Sequence, residues 1–165
     1  MAEPVEILPF AQQREVGPDD VIALWTREGV LSLEEASRRV REVLLVAVTA
    51  REPVGVCTTY LQVDEPLRLP LWHFRVFVAP AHRRSDIGLR LLVAGRDHLR
   101  ARHVAGIDRR GAGVLLEVQN PWLKQHFTEG RWPRTDFTFV GVDARGDHRR
   151  VHYFPGATVP VEPDG

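Results

Sequence analysis

The sequence predicts one α/β domain, a mixed sheet with helices on its faces, and three observations predict it. The chain has 165 residues, 44% of them hydrophobic, which is the size of an ordinary domain with enough apolar matter for a core. Short β-branched-rich runs alternate with stretches whose apolar residues recur at helical spacing. Proline, glycine and aspartate fall between these runs, and no internal repeat or low-complexity segment interrupts them.

Taken in order, Val5 to Phe10 reads as a first strand, and Gly17-Pro18-Asp19-Asp20 as a turn and helix start, its acids at the positive end of the helix. Val21, Leu24 and Trp25 then share one helical face. Ser32 followed by Glu35 is a capping box, and Leu33, Ala36, Val40 and Val43 predict a second helix over Leu33 to Glu42. Leu44 to Thr49 and Val54 to Tyr60 read as a hairpin turning at Arg51-Glu52-Pro53. Asp64 to Pro70 carries two prolines and reads as a loop, before a strand from Trp72 to Val78 that stops at Ala79-Pro80. From Ser85 to Arg102, Gly88, Leu91, Leu92, Gly95 and Leu99 form one stripe of a long helix with arginines crowding its last turns. Val114 to Val118 is a short strand and Trp122 to Phe127 a short helix. Phe137 to Val142 and Val151 to Phe154 flank Arg145-Gly146-Asp147 as a closing hairpin, so the domain spans residues 1–155, with 156–165 a mobile tail.

The composition narrows the function classes. The formal net charge is zero, which demands neither nucleic acid nor an anionic membrane as partner. Positive charge is almost all arginine, Lys124 being the only lysine. Cys57 is the only cysteine; it excludes an internal disulfide, fits a reducing compartment and reads as a small buried strand residue rather than a nucleophile. Met1 to Gln13 lacks the basic flank and apolar run of a secretory signal, and no stretch approaches the roughly 18 apolar residues of a membrane span. The expected location is the cytoplasm. His98 and His103 are off a shared helical face, and His148 and His152 have no acidic or thiolate partner in sequence, so no metal site is expected.

One segment carries chemistry. After Val78 the chain runs Ala79-Pro80-Ala81-His82-Arg83-Arg84-Ser85-Asp86-Ile87-Gly88-Leu89, so backbone N–H groups open a helix beside two arginines. Unpaired donors, the helix dipole, a glycine that admits close approach and two guanidinium groups suit a pyrophosphate; an ordinary exposed turn is the plain alternative.

Val78-Ala79-Pro80, then Arg83 with Gly88 five residues on and Leu91-Leu92 after it, resembles motif A of the GNAT acyltransferases. That pattern runs Arg or Gln, two residues, Gly, one residue, Gly or Ala. Asn120, Leu123, Phe127 and Trp132 follow Val118 at the spacing of the family's Asn-x-x-Ala-x-x-Phe-Tyr segment and its distal aromatic, and the element order matches the GNAT fold. The resemblance implies a mixed, mostly antiparallel central sheet of about six to seven strands, helices on both faces, and a V-shaped splay between the strands at 72–78 and 114–118.

It further implies an N-acyltransferase using acetyl-CoA or another acyl-CoA. Phe77, Val78, Arg83, Arg84, Ser85, Asp86, Ile87, Gly88, Leu89 and Asn120 would then hold the cofactor, and an amine would attack the thioester directly. The acceptor is an amine on a small molecule, peptide or protein, and open edge strands admit a homodimer. The attacking amine must lose a proton, for which His73 and Glu117 are the candidates, each weighed against a plain packing or salt-bridged role. Two positions depart from the family. Asp86 stands where the first glycine is usual and sets a carboxylate near a diphosphate, a repulsion of roughly 1 to 4 kcal/mol at ~4 Å that Arg83 and Arg84 would offset. Phe127 stands where many members carry the tyrosine that protonates the departing thiolate, so His126 or water would serve. A non-catalytic binding module, and transfer of a longer acyl chain to an amino acid, remain as alternatives.

Overall fold

Helix α1 (Pro18–Arg27) begins on a proline, whose missing N–H costs nothing in a first turn, and the Asp20 carboxylate accepts the Gly17 N–H at 2.7 Å. Helix α2 (Leu33–Arg39) is capped by Ser32, whose hydroxyl accepts the Glu35 N–H at 3.2 Å. The expected run to Glu42 tightens after Arg39 into a 3-10 turn over Val40–Glu42. Two further helices are α3 (Ile87–Val104) and α4 (Pro121–His126). The structure, a computed structural model, describes residues 3–160.

Seven strands, β1 (Glu6–Pro9), β2 (Val43–Thr49), β3 (Glu52–Asp64), β4 (Leu69–Val78), β5 (Gly113–Val118), β6 (Thr138–Val142) and β7 (His148–Tyr153), form one mostly antiparallel sheet. Their order is β1-β2-β3-β4-β5-β7-β6. Strand boundaries differ from expectation, among them the start of β4, at Leu69 instead of Trp72. The β2–β3 turn falls at Ala50-Arg51, both at positive φ (50° and 63°), and Pro53 lies within β3 opposite Val48. Two consecutive left-handed residues match the twist of a hairpin, and this outweighs the usual turn preference of proline. β3 continues to Asp64, and β7 begins at His148 instead of Val151.

Among the described residues, 3–59 together with Arg75–Gly95 form one compact unit. Its core joins Val21, Leu24 and Trp25 of α1 and Ala36 of α2 to Val46, Val48 and Val56 of the sheet, with Ala79 at its margin. β1 and β2 are antiparallel (Glu6↔Val48), as are β2 and β3 (Val46↔Val56). A side chain at Gly55 would strike Leu91 Cδ1 at 2.9 Å and crowd the Phe77 carbonyl at 3.3 Å, so glycine there lets α3 lie close on β3.

Among the described residues, Tyr60–Phe74 together with 96–160 form a second unit. β4 and β5 run parallel (Trp72↔Val114, His73↔Leu115, Phe74↔Leu116), and β7 is antiparallel to both β5 and β6. Leu69, Leu71, Ala112, Leu115 and Val151 make a core against which Ala157 packs. Of the expected tail, Ala157 thus lies on this core, its N–H donating to the Phe154 carbonyl at 3.0 Å, while 161–165 lie outside the described residues. Among the described residues no helix is long and apolar enough to cross a membrane.

Candidate functional site

In the first unit, the chain leaves β4 at Val78 and reaches α3 through a 3-10 turn, Pro80–His82. The Ala79 N–H donates to the Val54 carbonyl at 2.8 Å, which ties the strand exit to β3. Arg83 folds back, its Nε donating to the Val78 carbonyl at 3.0 Å and its guanidinium 5.7 Å from the Phe77 ring centroid. Ser85 turns its hydroxyl onto the His82 carbonyl at 2.5 Å and accepts the Ile87 N–H at 3.4 Å. The helix starts at Ile87, two residues later than expected, because Ser85 and Asp86 serve as its entry; the Asp86 carbonyl accepts the Arg90 N–H at 2.9 Å.

This geometry sorts the expected cofactor residues. Arg84 and Asp86 are exposed, and Leu89 is 42% exposed. Phe77, Val78 and Gly88 are half-buried. Ile87 is buried, so its side chain serves the core and only its backbone faces the helix start. The donor set, exposed guanidinium groups beside first-turn N–H groups, fits a diphosphate. A side chain at Gly88 would meet only Val78 Cγ2 at 3.6 Å, an ordinary contact, so folding does not require glycine there.

In the second unit, a cavity of about 570 Å³ is lined by Tyr60, Asp64, His73, Glu117, Asp143 and Arg149 among others. It brings together the two base candidates, and the sheet explains how. Leu69, Leu71 and His73 alternate onto one face of β4, and His73 pairs with Leu115, two residues before Glu117 on β5. That face is core at Leu69 and Leu71 and turns polar at His73. The imidazole stacks on Tyr60 with centroids 5.0 Å apart, and its Nε2 is buried without a hydrogen-bond partner. Burial pulls the His73 pKa below its ordinary value; the Asp64 charge, a backbone hydrogen bond at Gln62 and the Glu117 charge oppose this, and Arg149 adds to the lowering. Burial thus favours the neutral imidazole over the charged one.

Sequence reading missed Asp64 and Arg149, which form a buried ion pair in the wall of the cavity. The available signal was Arg149-Arg150 beside β-branched Val151, charge carried inside a strand.

The remaining candidates sit on and after α4. Asn120 Oδ1 accepts the Trp122 N–H at 2.9 Å and the Leu123 N–H at 3.4 Å, so this side chain shapes the entry to the helix. His126 is exposed, stacked on Trp122 at 4.5 Å, with Nδ1 2.8 Å from the Trp122 carbonyl. Phe127 packs edge-on against Trp122 and Trp132. The following loop is pinned by buried Arg150, which donates to the carbonyls of Phe127, Glu129 and Gly130 and lies 4.2 Å from the Trp132 ring centroid. Elsewhere, burial pushes the Cys57 thiol up to about 12, so it stays protonated and inert. Among the described residues no group of three or more His, Cys, Asp or Glu side chains is placed to hold a metal.

Neither a protein-family model nor a curated protein matches the chain. Solved structures do match. An acetyltransferase of the GNAT family from Streptococcus pneumoniae is 13% identical with a TM-score of 0.61, covering 92% of this chain and 99% of its own. A structure described as a bacterial toxin is 14% identical with a TM-score of 0.63, covering 92% of this chain and 91% of its own. A GNAT family acetyltransferase from Brucella melitensis, solved in complex with acetyl-CoA, is 16% identical with a TM-score of 0.52, covering 99% and 94%. At these identities the likeness establishes the fold.

Proposed function

From the GNAT fold of this chain, we propose an acyl-CoA-dependent N-acyltransferase that moves an acetyl group from acetyl-CoA to a primary amine by direct attack. The observation that carries the reading is the cavity that His73 and Glu117 both line. The start of α3 supports the cofactor half of the reading. Arg83, Arg84 and the N–H groups at Gly88 and Leu89 would hold a diphosphate, and half-buried Gly88 would let it approach the backbone. Bound acetyl-CoA supplies an activated acyl thioester, and the chain's own residues manage the amine.

An amine arrives mostly as an ammonium ion at neutral pH and is nucleophilic only when deprotonated. Glu117 attracts the cation, and His73 or Glu117 takes its proton, directly or through a water. The departing thiolate has a pKa near that of an ordinary thiol, ~8.5, so water or His126 suffices to protonate it where Phe127 has no hydroxyl. The acceptor is an amine-bearing small molecule, peptide or protein, and the setting is the cytoplasm.

Asp86 and Phe127 favour a second reading, a GNAT-fold module that binds an altered cofactor or none. Calorimetric titration of CoA and acetyl-CoA into the protein and into Arg83→Ala/Arg84→Ala and Asp86→Gly variants separates the two. Binding that weakens about tenfold or more, ~1.4 kcal/mol, in the arginine variant supports the acyltransferase. No binding by the wild type, with binding gained in Asp86→Gly, selects the module.

A further inference from the structure

Opposite charges facing each other across an antiparallel strand pair ordinarily join. Glu117 on β5 and Arg149 on β7 are such register partners. Arg149 nevertheless turns away: its Nη2 donates to Asp64 Oδ1 at the end of β3, although β4 and β5 separate β3 from β7 in the sheet. The pair is nearly sealed, with side-chain exposures of 9% for Arg149 and 5% for Asp64. Asp64 is itself held by the turn that follows it, Oδ2 accepting the Leu67 N–H at 3.2 Å. Glu117 is exposed, and among the described residues its side chain takes part in no salt bridge or hydrogen bond. Asp64, His73, Glu117 and Arg149 all line the same cavity.

Resting on the reading of this cavity as the acceptor side, we infer that Asp64 is a positioning residue: by occupying Arg149 it leaves the Glu117 carboxylate unpaired for the acceptor's ammonium group. A guanidinium with no buried counterion would turn to the nearest carboxylate, and its cross-strand neighbour is within reach, with Cβ atoms about 5 Å apart. The cavity would then present no free negative charge beside His73. With Asp64 in place, Arg149 is satisfied inside the protein and Glu117 faces the ligand. The acceptor this selects is a cationic primary amine rather than a neutral one.

The test measures acetyl transfer from acetyl-CoA to a panel of primary amines, with spermidine and lysine among the cationic members, and acetyl-CoA binding by calorimetry in parallel. Asp64→Asn is expected to raise KM for the cationic amines about tenfold or more while leaving acetyl-CoA affinity unchanged. Adding Arg149→Met should return KM to within about threefold of wild type, because no cation is left to silence Glu117. A pair that only holds the fold predicts a double variant no better than Asp64→Asn, and that outcome overturns the inference. Should Asp64→Asn fail to fold, the double variant Asp64→Asn/Arg149→Met decides alone: KM for the cationic amines within about threefold of wild type supports the inference, and a rise of about tenfold or more refutes it. If the wild type binds acetyl-CoA but acetylates no amine, the acyltransferase reading itself falls and takes the inference with it. An active wild type with an unrecovered double variant removes the inference alone.

Discussion

Two glycines separate folding from binding. Gly55 is boxed in by Leu91, Ile87 and the Phe77 carbonyl, whereas Gly88 has room for a methyl group. Gly88→Ala is expected to leave thermal stability level or raise it by up to ~1 kcal/mol, since alanine is the better helix former, and to weaken CoA binding about tenfold. Gly55→Ala should instead cost about 1 to 3 kcal/mol by overpacking, with any loss of binding following from the loss of fold. Thermal melts and calorimetry on the two variants check both statements. The strand positions of His73 and Glu117 were legible because each lies in a short β-branched run, and the structure pairs those two strands; their roles came from the resemblance. Asp64 and Arg149 were not legible, because their meeting depends on a contact between residues 85 positions apart, and local spacing says nothing about such a pair. Asp64 was also read as loop, and a loop carboxylate gives no hint of burial. Asn120 shows a different limit. Sequence marked it as either a turn former or a cofactor contact, and its two hydrogen bonds to α4 support the first role without excluding ligand contact.

The short helix α4 depends on its cap more than on its own length, because six residues cannot sustain a helix unaided. Asn120→Ala is therefore expected to cost about 1 kcal/mol and to raise hydrogen exchange at Trp122 and Leu123 before other sites. The β2–β3 hairpin offers the opposite case. Arg51 is held at φ 63°, a conformation costing a residue with a side chain roughly 1 kcal/mol, so Arg51→Gly should raise the melting temperature slightly. The helices were legible because caps and periodicity are local: Ser32, Pro18 and the Leu91, Leu92, Leu99 stripe each mark an element where it stands. Strand ends were harder. Proline punctuates turns in general, yet Pro53 and Pro70 both lie inside strands, where the partner strand's demands decide. β7 was shortened for a related reason. Arg149 and Arg150 look like surface residues, but one is buried against a carboxylate and the other against three carbonyls and an indole.

For the molecule as a whole, acid is the expected weakness. Burial is the leading cause that lowers the pKa of His73, His98 and His152 in the folded chain. Their unfolded counterparts take up protons near pH 6.5, so below that value the unfolded chain binds more protons than the folded one, and stability falls as pH falls. Asp108 and Asp143, held low chiefly by hydrogen bonds to Arg110 and to the Asp147 backbone, act in the same direction only in a lower window, below about pH 4. Melting temperatures measured between pH 8 and pH 5 should decline through the histidine window, and a flat profile would refute this assignment. The mixed sheet was foreseen because the order of elements is a whole-chain pattern, which single boundary errors do not disturb, while its mostly antiparallel pairing over about six to seven strands came from the resemblance. The only cysteine, Cys57, is sealed inside this sheet with its thiol held protonated. To a maleimide reagent the folded molecule is consequently a blank. A cysteine placed at exposed Ala81, in the turn ahead of α3, would be the sole attachment point for a fluorophore, and ligand arrival at that helix start would register as a change in emission with Cys57 left in place.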